Sequence, residues 1–419
     1  MFFLKKLRYF LNRFDLVQDN VHFLEDASKY VMVLSRLLLH FVNLWPMNFT
    51  KVRKVFFYAT MGIAMGHHFT IFSYTCRNVR SIDNLTEILP AMSLMIELLS
   101  KTFVLYGKRD QLKDIIKIVW NDFWPSNTFG KELEEKISTN TKDILIPIIL
   151  QMAVGSIYST ICIFLPFVAT PSFVYHAWYP PGWDRSLFQT ILNILRSYLM
   201  TYVINSMVCA YDLLYTALCI NCISQYLQLS YALKFIGTRK ELEVILKIQG
   251  KDNKNPSIIQ NDEGRVMKLL IICAKHHQML IRFGNELNTI FGSGHFLQLV
   301  ATLIGICTTS YNISQKTGHM VVMLSCGYYL AYFWQLYVYC ASSNSLSVWS
   351  TYVSDAAFDS EWHASNTRDI RKCLSIIMIR SQRPVIMNAF GLFQLNYESL
   401  LTVMRFSFSL YTFLRKIAA

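Results

Sequence analysis

Seven stretches of this chain are long and apolar enough to cross a bilayer, and its positive charge collects between alternate pairs of them. A helix crosses the hydrocarbon core in about 20 apolar residues. On that measure, spans lie near 55–76, 86–106, 144–169, 187–220, 287–313, 318–341 and 384–414. The segment before the first span, and the loops after the second, fourth and sixth, hold 31 of the 40 Lys and Arg residues. The opposite side holds six: Arg77, Arg80, Arg185, Lys316, Arg415 and Lys416. Basic residues stay cytosolic during insertion, so the N-terminus is expected inside. An odd number of spans then leaves the C-terminus outside. Spanning segments of this length satisfy their backbone groups as helices, so the expected fold is all-α. The orientation is the reverse of a G-protein-coupled receptor's.

A net charge of +13 would suggest nucleic acid in a soluble domain. With 53% hydrophobic and only 16% charged residues, the chain reads as an integral membrane protein, whose basic residues line the anionic cytosolic leaflet. The opening run MFFLKKLRYFLNRFD has no sustained apolar core, so the first transmembrane helix is expected to direct insertion. The ten cysteines show no disulfide framework.

Several apolar stretches outlast the bilayer, so their helices are expected to continue below it and pack as a cytosolic bundle. Residues 1–54 form a cytosolic N-terminus with an amphipathic helix from Lys29, ended by Trp45-Pro46. Residues 55–220 carry spans one to four, with an external loop at 170–186 holding Phe173, Tyr175, Trp178, Tyr179 and Trp183. Residues 221–286 form a cytosolic anchor region with a flexible linker from Gln249 to Pro256. Residues 287–341 carry spans five and six, 342–383 a further anchor helix, and 384–419 the seventh helix with the external C-terminus. Asn84 in the first external loop and Asn312 at the outer end of span five are glycosylation sequons, whereas Asn48 should stay unmodified on the inside.

No enzyme, metal or cofactor site emerges. Cys219-Ile-Asn-Cys222 lacks a second pair, and His67-His68 and His276-His277 are adjacent pairs that point to different helix faces. Glu97 and Lys101 stand four apart with the acid first, the favourable order for a structural ion pair. Arg196, Asp212 and Arg405 are costly in lipid and expected in helix-to-helix pairs or against a polar cavity. On the seventh span, Ser399, Thr402, Phe406, Ser409, Phe413 and Lys416 share one helical face. That face suits a narrow pore with Phe413 as a hydrophobic constriction, and suits close helix packing equally well. Gly391 is a candidate break in this helix. The outer halves of spans two to six offer Met92, Met95, Ile96, Tyr158, Ile161, Cys162, Ile194, Tyr198, Thr201, Thr302, Gly305, Thr309, Met320, Met323 and Gly327. Such residues line pockets for small apolar ligands, and ordinary helix packing uses the same types.

The C-terminal part carries a resemblance. The run Val353 to His363, then Arg371 to Pro384, then Leu400 to Arg415 resembles the insect odorant receptor family. Ala357, Phe358 and Trp362 match its small-aromatic-x-x-x-Trp element, Arg380 to Pro384 its Arg-Ser-Gln-basic-Pro element, and Arg405 with Ser409 its ending. The resemblance implies an odorant-gated, non-selective cation channel of four subunits, with a pore of seventh helices and an odorant pocket among helices two to six. It implies residence in the dendritic plasma membrane of olfactory neurons, and partnership with a shared co-receptor subunit. Neither the cytosolic insertion nor the C-terminal signature marks this chain as that co-receptor. Phe413 is bulkier than the aliphatic residue expected at the gate, and four copies of Lys416 would oppose cation flow. A mixed channel is therefore expected over a homotetramer.

Overall fold

The computed structural model describes residues 27–47, 50–78, 82–168, 178, 187–238, 240–249, 262–315, 318–362 and 368–418. The side chains at 162–204, apart from Trp178, lie outside that description. Eleven helices and one two-stranded hairpin make up the described residues. In chain order they are α1 Ala27–Phe41, α2 Lys51–Asn78, α3 Ile82–Gly107, α4 Arg109–Asn121, α5 Lys131–Val168, α6 Leu187–Leu233, α7 Glu241–Gln249, α8 Asp262–Gln315, α9 His319–Phe358 and α10 Arg368–Ser381. Strands β1 Asn388–Ala389 and β2 Phe393–Gln394 then precede α11, Tyr397–Ala418.

The fold is an all-α membrane protein. Six helices (α2, α3, α5, α6, α8 and α9) are long and apolar enough to span a bilayer by length and composition. The seventh, α11, is amphipathic and carries Glu398, Arg405, Arg415 and Lys416. Exposed Phe56, Phe69 and Phe72 on α2, and Ile146, Ile149 and Ile157 on α5, form the apolar outer wall that lipid would cover. At 54 residues, α8 is about 80 Å long, far beyond a core about 30 Å thick. The inner ends of α5, α6, α8 and α9 therefore run on and pack with α1, α4, α7 and α10.

This lower bundle is organised around α6, which is buried on every side from Ala210 to Leu229. Polar residues there are matched rather than excluded. Asn221 donates to the Ser28 carbonyl on α1 at 2.9 Å. Gln225 clasps Trp124 twice, accepting from its N–H at 2.8 Å and donating to its carbonyl at 2.9 Å. Leu112, Ile115, Ile116 and Val119 form the buried stripe of α4.

Three boundaries differ from the sequence expectation. The N-terminal amphipathic helix ends at Phe41, before Trp45-Pro46, because Asn43 takes a left-handed conformation (φ 57°) and closes it. The helix of span six runs through to Phe358 instead of yielding to a separate anchor segment at 342. The seventh helix starts at Tyr397, not 384. Phe390 and Gly391, both at positive φ, turn the β1–β2 hairpin there. Gly391 thus serves a turn and does not break a helix. Asn396 then caps α11, accepting from the Ser399 N–H at 2.7 Å.

Burial pushes His40, near the end of α1, down to about 4, and the nearby Arg53 and Arg36 act the same way. The unfolded chain takes up this proton near the ordinary value of 6.5, the folded chain only near 4. Between those values the unfolded state binds more protons, so docking of α1 is fully stable above 6.5 and weakens as pH falls toward 4. Hydrogen-exchange protection of α1 is expected to drop on acidification, and His40→Phe to flatten that drop. An equal drop in the variant would assign the effect elsewhere.

Candidate functional site

An apolar cavity of about 350 Å³ lies among α2, α3, α5, α6 and α9. Its walls include Ile71, Ala91, Leu94, Leu150, Val154, Tyr158, Val208, Leu330, Ala331 and Trp334. The wall closes around small residues. A Cβ on Gly327 would collide with the Tyr158 ring, so α9 passes α5 there only because Gly has no side chain. Trp334 is held by its Nε1–H, which donates to the Pro147 carbonyl at 2.8 Å. A smaller hollow of about 80 Å³ shares Ile71, Ala91 and Tyr328 with the cavity and extends toward Val321 near the start of α9.

The inner end of the cavity is ionic. Lys101 is fully buried between Glu97, at 2.7 Å, and Asp212, at 2.6 Å. Gln335 of α9 donates to Glu97 at 2.5 Å and to Asp212 at 2.8 Å, and Gln151 of α5 donates to Asp212 at 2.8 Å. The Tyr339 hydroxyl also donates to Asp212. Gln298 of α8 donates to Gln335 at 2.7 Å. One network therefore ties α3, α5, α6, α8 and α9 together at one level of the bundle. Glu97 and Lys101 form the pair the spacing implied, and Asp212, two spans away, shares the same ammonium.

The sequence-selected pocket residues are not gathered into one place. Tyr158 lines the cavity, and so does Gly327. Met95 is buried, while Ile96, Ile161 and Met323 are exposed on the outside of the helices. Met92 is half-buried and outside the lining. Thr302, Gly305 and Thr309 of span five are buried away from the cavity. The reason is close packing: a Cβ on Gly305 would meet the Tyr332 ring, so α8 and α9 leave no space between them. The side chains of Cys162, Ile194, Tyr198, Thr201 and Asn84 lie outside the described residues, as does the external loop except Trp178. Trp178 donates its N–H to the Thr70 carbonyl at 3.0 Å, and Arg77 sits over its ring at 4.2 Å. Asn312 is buried and donates to the Thr86 carbonyl at 2.9 Å, so it is not a glycan acceptor in this fold.

Sequence reasoning also passed over the first span, whose His67, His68 and Ile71 belong to the lining. The polar residues Gln151 and Gln335, each in the middle of an apolar stretch, were the readable signal for the inner end.

On α11, Leu400, Val403 and Ser407 are the buried stripe. Leu400 and Val403 pack on Leu299 of α8 and on Leu336 and Cys340 of α9. Thr402, Phe406, Ser409, Phe413 and Lys416 are all exposed on the other side. Phe406 and Phe413 are 53% and 59% exposed, a large uncovered apolar face for one chain.

A family model described as "7tm Odorant receptor" matches residues 81–408. Odorant receptor 46a, isoform B, of Drosophila melanogaster is 23% identical over 167 residues, covering 39% of this chain and 43% of that one. Odorant receptor 85f of the same species is 27% identical over 195 residues, 46% of each chain. The chain spans less than half the length of these relatives. Among solved structures, the insect olfactory receptor OR5 from Machilis hrabei in complex with eugenol superposes with a TM-score of 0.72 at 13% identity. That match covers 93% of this chain and 98% of the other.

Proposed function

The chain belongs to the 7tm odorant receptor family, membrane receptors of olfaction rather than enzymes, and from that premise we propose that it is the odorant-binding subunit of a ligand-gated, non-selective cation channel. The observation that carries this reading is the packing of α9. One face, through Trp334 and Gln335, walls the cavity. The other, through Leu336 and Cys340, packs on Leu400 and Val403 of α11. A volatile ligand seated against Trp334 shifts α9, and α11 follows because the interface between them is close-packed. The ligand opens the channel only by binding the open arrangement better than the closed one. The smaller hollow toward Val321 supplies a route in from the external side.

The exposed face of α11 would then line the pore, with Phe413 as the constriction and Lys416 at its mouth. A ring of four Lys416 ammonium groups opposes cations. The working assembly is therefore a heterotetramer with co-receptor subunits, in the dendritic plasma membrane of an olfactory neuron with its N-terminus in the cytosol.

Two substitutions with opposite volume effects test the cavity. Gly327→Val drives the Tyr158 ring inward, and Tyr158→Ala enlarges the space. Differences of this size in an apolar pocket shift affinity by about tenfold. Gly327→Val is expected to raise the half-maximal concentration for larger odorants about tenfold and spare smaller ones. Tyr158→Ala should weaken small ligands most. Concentration–response curves unchanged in both variants, with both at the cell surface, would remove the cavity from the account.

A further inference from the structure

We infer that this cavity selects apolar volatiles whose polar head is a hydrogen-bond donor, a hydroxyl or an ammonium, seated against the carboxylate of Glu97. The inference rests on the cavity being the odorant site. Most of the lining is hydrocarbon or aromatic; it also includes His67, His68, Ser159 and Asn205, and Glu97, Gln151 and Gln335 line its inner end together. Their free capacity is one-sided. Oε1 of Glu97 accepts from Lys101 at 2.7 Å and from Gln335 at 2.5 Å, while Oε2 accepts from no described residue. Gln151 gives its amide N–H to Asp212 at 2.8 Å, and its Oε1 accepts from no described residue.

Two buried acceptors without a donor among the described residues therefore border the end of an apolar cavity, and a ligand head reaches them as the side chains that cover them give way. A buried acceptor left without a donor is costly, and the cost is larger for a charged one. The charges lean the same way: within the network one ammonium, Lys101, faces two carboxylates, Glu97 and Asp212. A ligand hydroxyl or ammonium supplies what these groups lack. A ketone or ester brings another acceptor against them. Sites built to hydrogen-bond a ligand reject its isostere without the bond far more strongly than apolar pockets discriminate by shape.

The test uses the full chain in nanodiscs and a straight-chain series of equal length: an alkane, a methyl ketone, a primary alcohol and a primary amine. Binding is read as thermal stabilisation against ligand concentration, which needs no channel opening. The alcohol and the amine are expected to bind about tenfold tighter than the ketone, the scale of one hydrogen bond to a charged group. Glu97→Gln, whose amide oxygen still accepts from Lys101, should bring the series to within about twofold, and Gln151→Leu should narrow it partly. The wild-type ranking stands without either variant. A ketone that binds as tightly as the alcohol and amine, with Tyr158→Ala weakening all of them, would overturn the donor preference and leave the odorant cavity intact. No binding by any member would overturn both.

Discussion

Replacing Lys101 with methionine is expected to destabilise the protein by about 3–5 kcal/mol, enough to keep most of it from the cell surface. The ammonium is 1% exposed and lies between two carboxylates that are each fully buried. Its removal leaves Glu97 and Asp212 facing one another with no cation among the described groups that bond them. Tyr339, Gln335 and Gln151 still donate to Asp212, but neutral donors do not cancel two charges. The expected signature is a lower melting midpoint of the detergent-solubilised chain. A second arm separates charge from packing. Lys101→Met combined with Glu97→Gln and Asp212→Asn removes all three charges and should recover much of the loss, because a buried ionic group replaced as a whole costs little. A melting midpoint unchanged by Lys101→Met would show that the network contributes nothing to the fold.

Replacing Phe413 with alanine in channels that contain this chain is expected to raise the ligand-independent current at least about tenfold, because a hydrophobic constriction gates by excluding water. Phe413 stands on the exposed face of α11, apart from the Leu400–Val403 stripe that holds the helix to α8 and α9. The substitution should therefore leave surface delivery unchanged. Lys416→Glu on the same face should raise the preference for cations over anions without altering odorant potency. An unchanged standing current from Phe413→Ala would place the gate elsewhere.

The membrane architecture was legible because its signals are local. Apolar run length gave six of the helices, and the spacing of Glu97 and Lys101 gave their ion pair. The partnership of that pair with Asp212 was not legible, since nothing in the chain says that α3 and α6 meet at that depth. The pocket residues show the limit most clearly. Small and aromatic residues recur on several faces of each span, and only packing decides which face meets a cavity. Gly305 illustrates this: its smallness serves contact with Tyr332 and opens no space for a ligand. The start of α11 was readable and missed. Pro384, Asn388, Gly391 and Asn396 are turn and cap residues in sequence, but the apolar run through Val385, Ile386 and Met387 outweighed them. The buried stripe of α4 at Leu112, Ile115, Ile116 and Val119 was equally visible, hidden among the lysines of a loop.

The most direct test of the central claim is odorant-evoked current in excised patches, bathed without GTP, from cells expressing this chain with a co-receptor subunit. The account predicts a cation current that survives excision and is absent when either chain is omitted. A current that vanishes on excision and returns with GTP would contradict it, and would make the chain a receptor acting through another protein's channel.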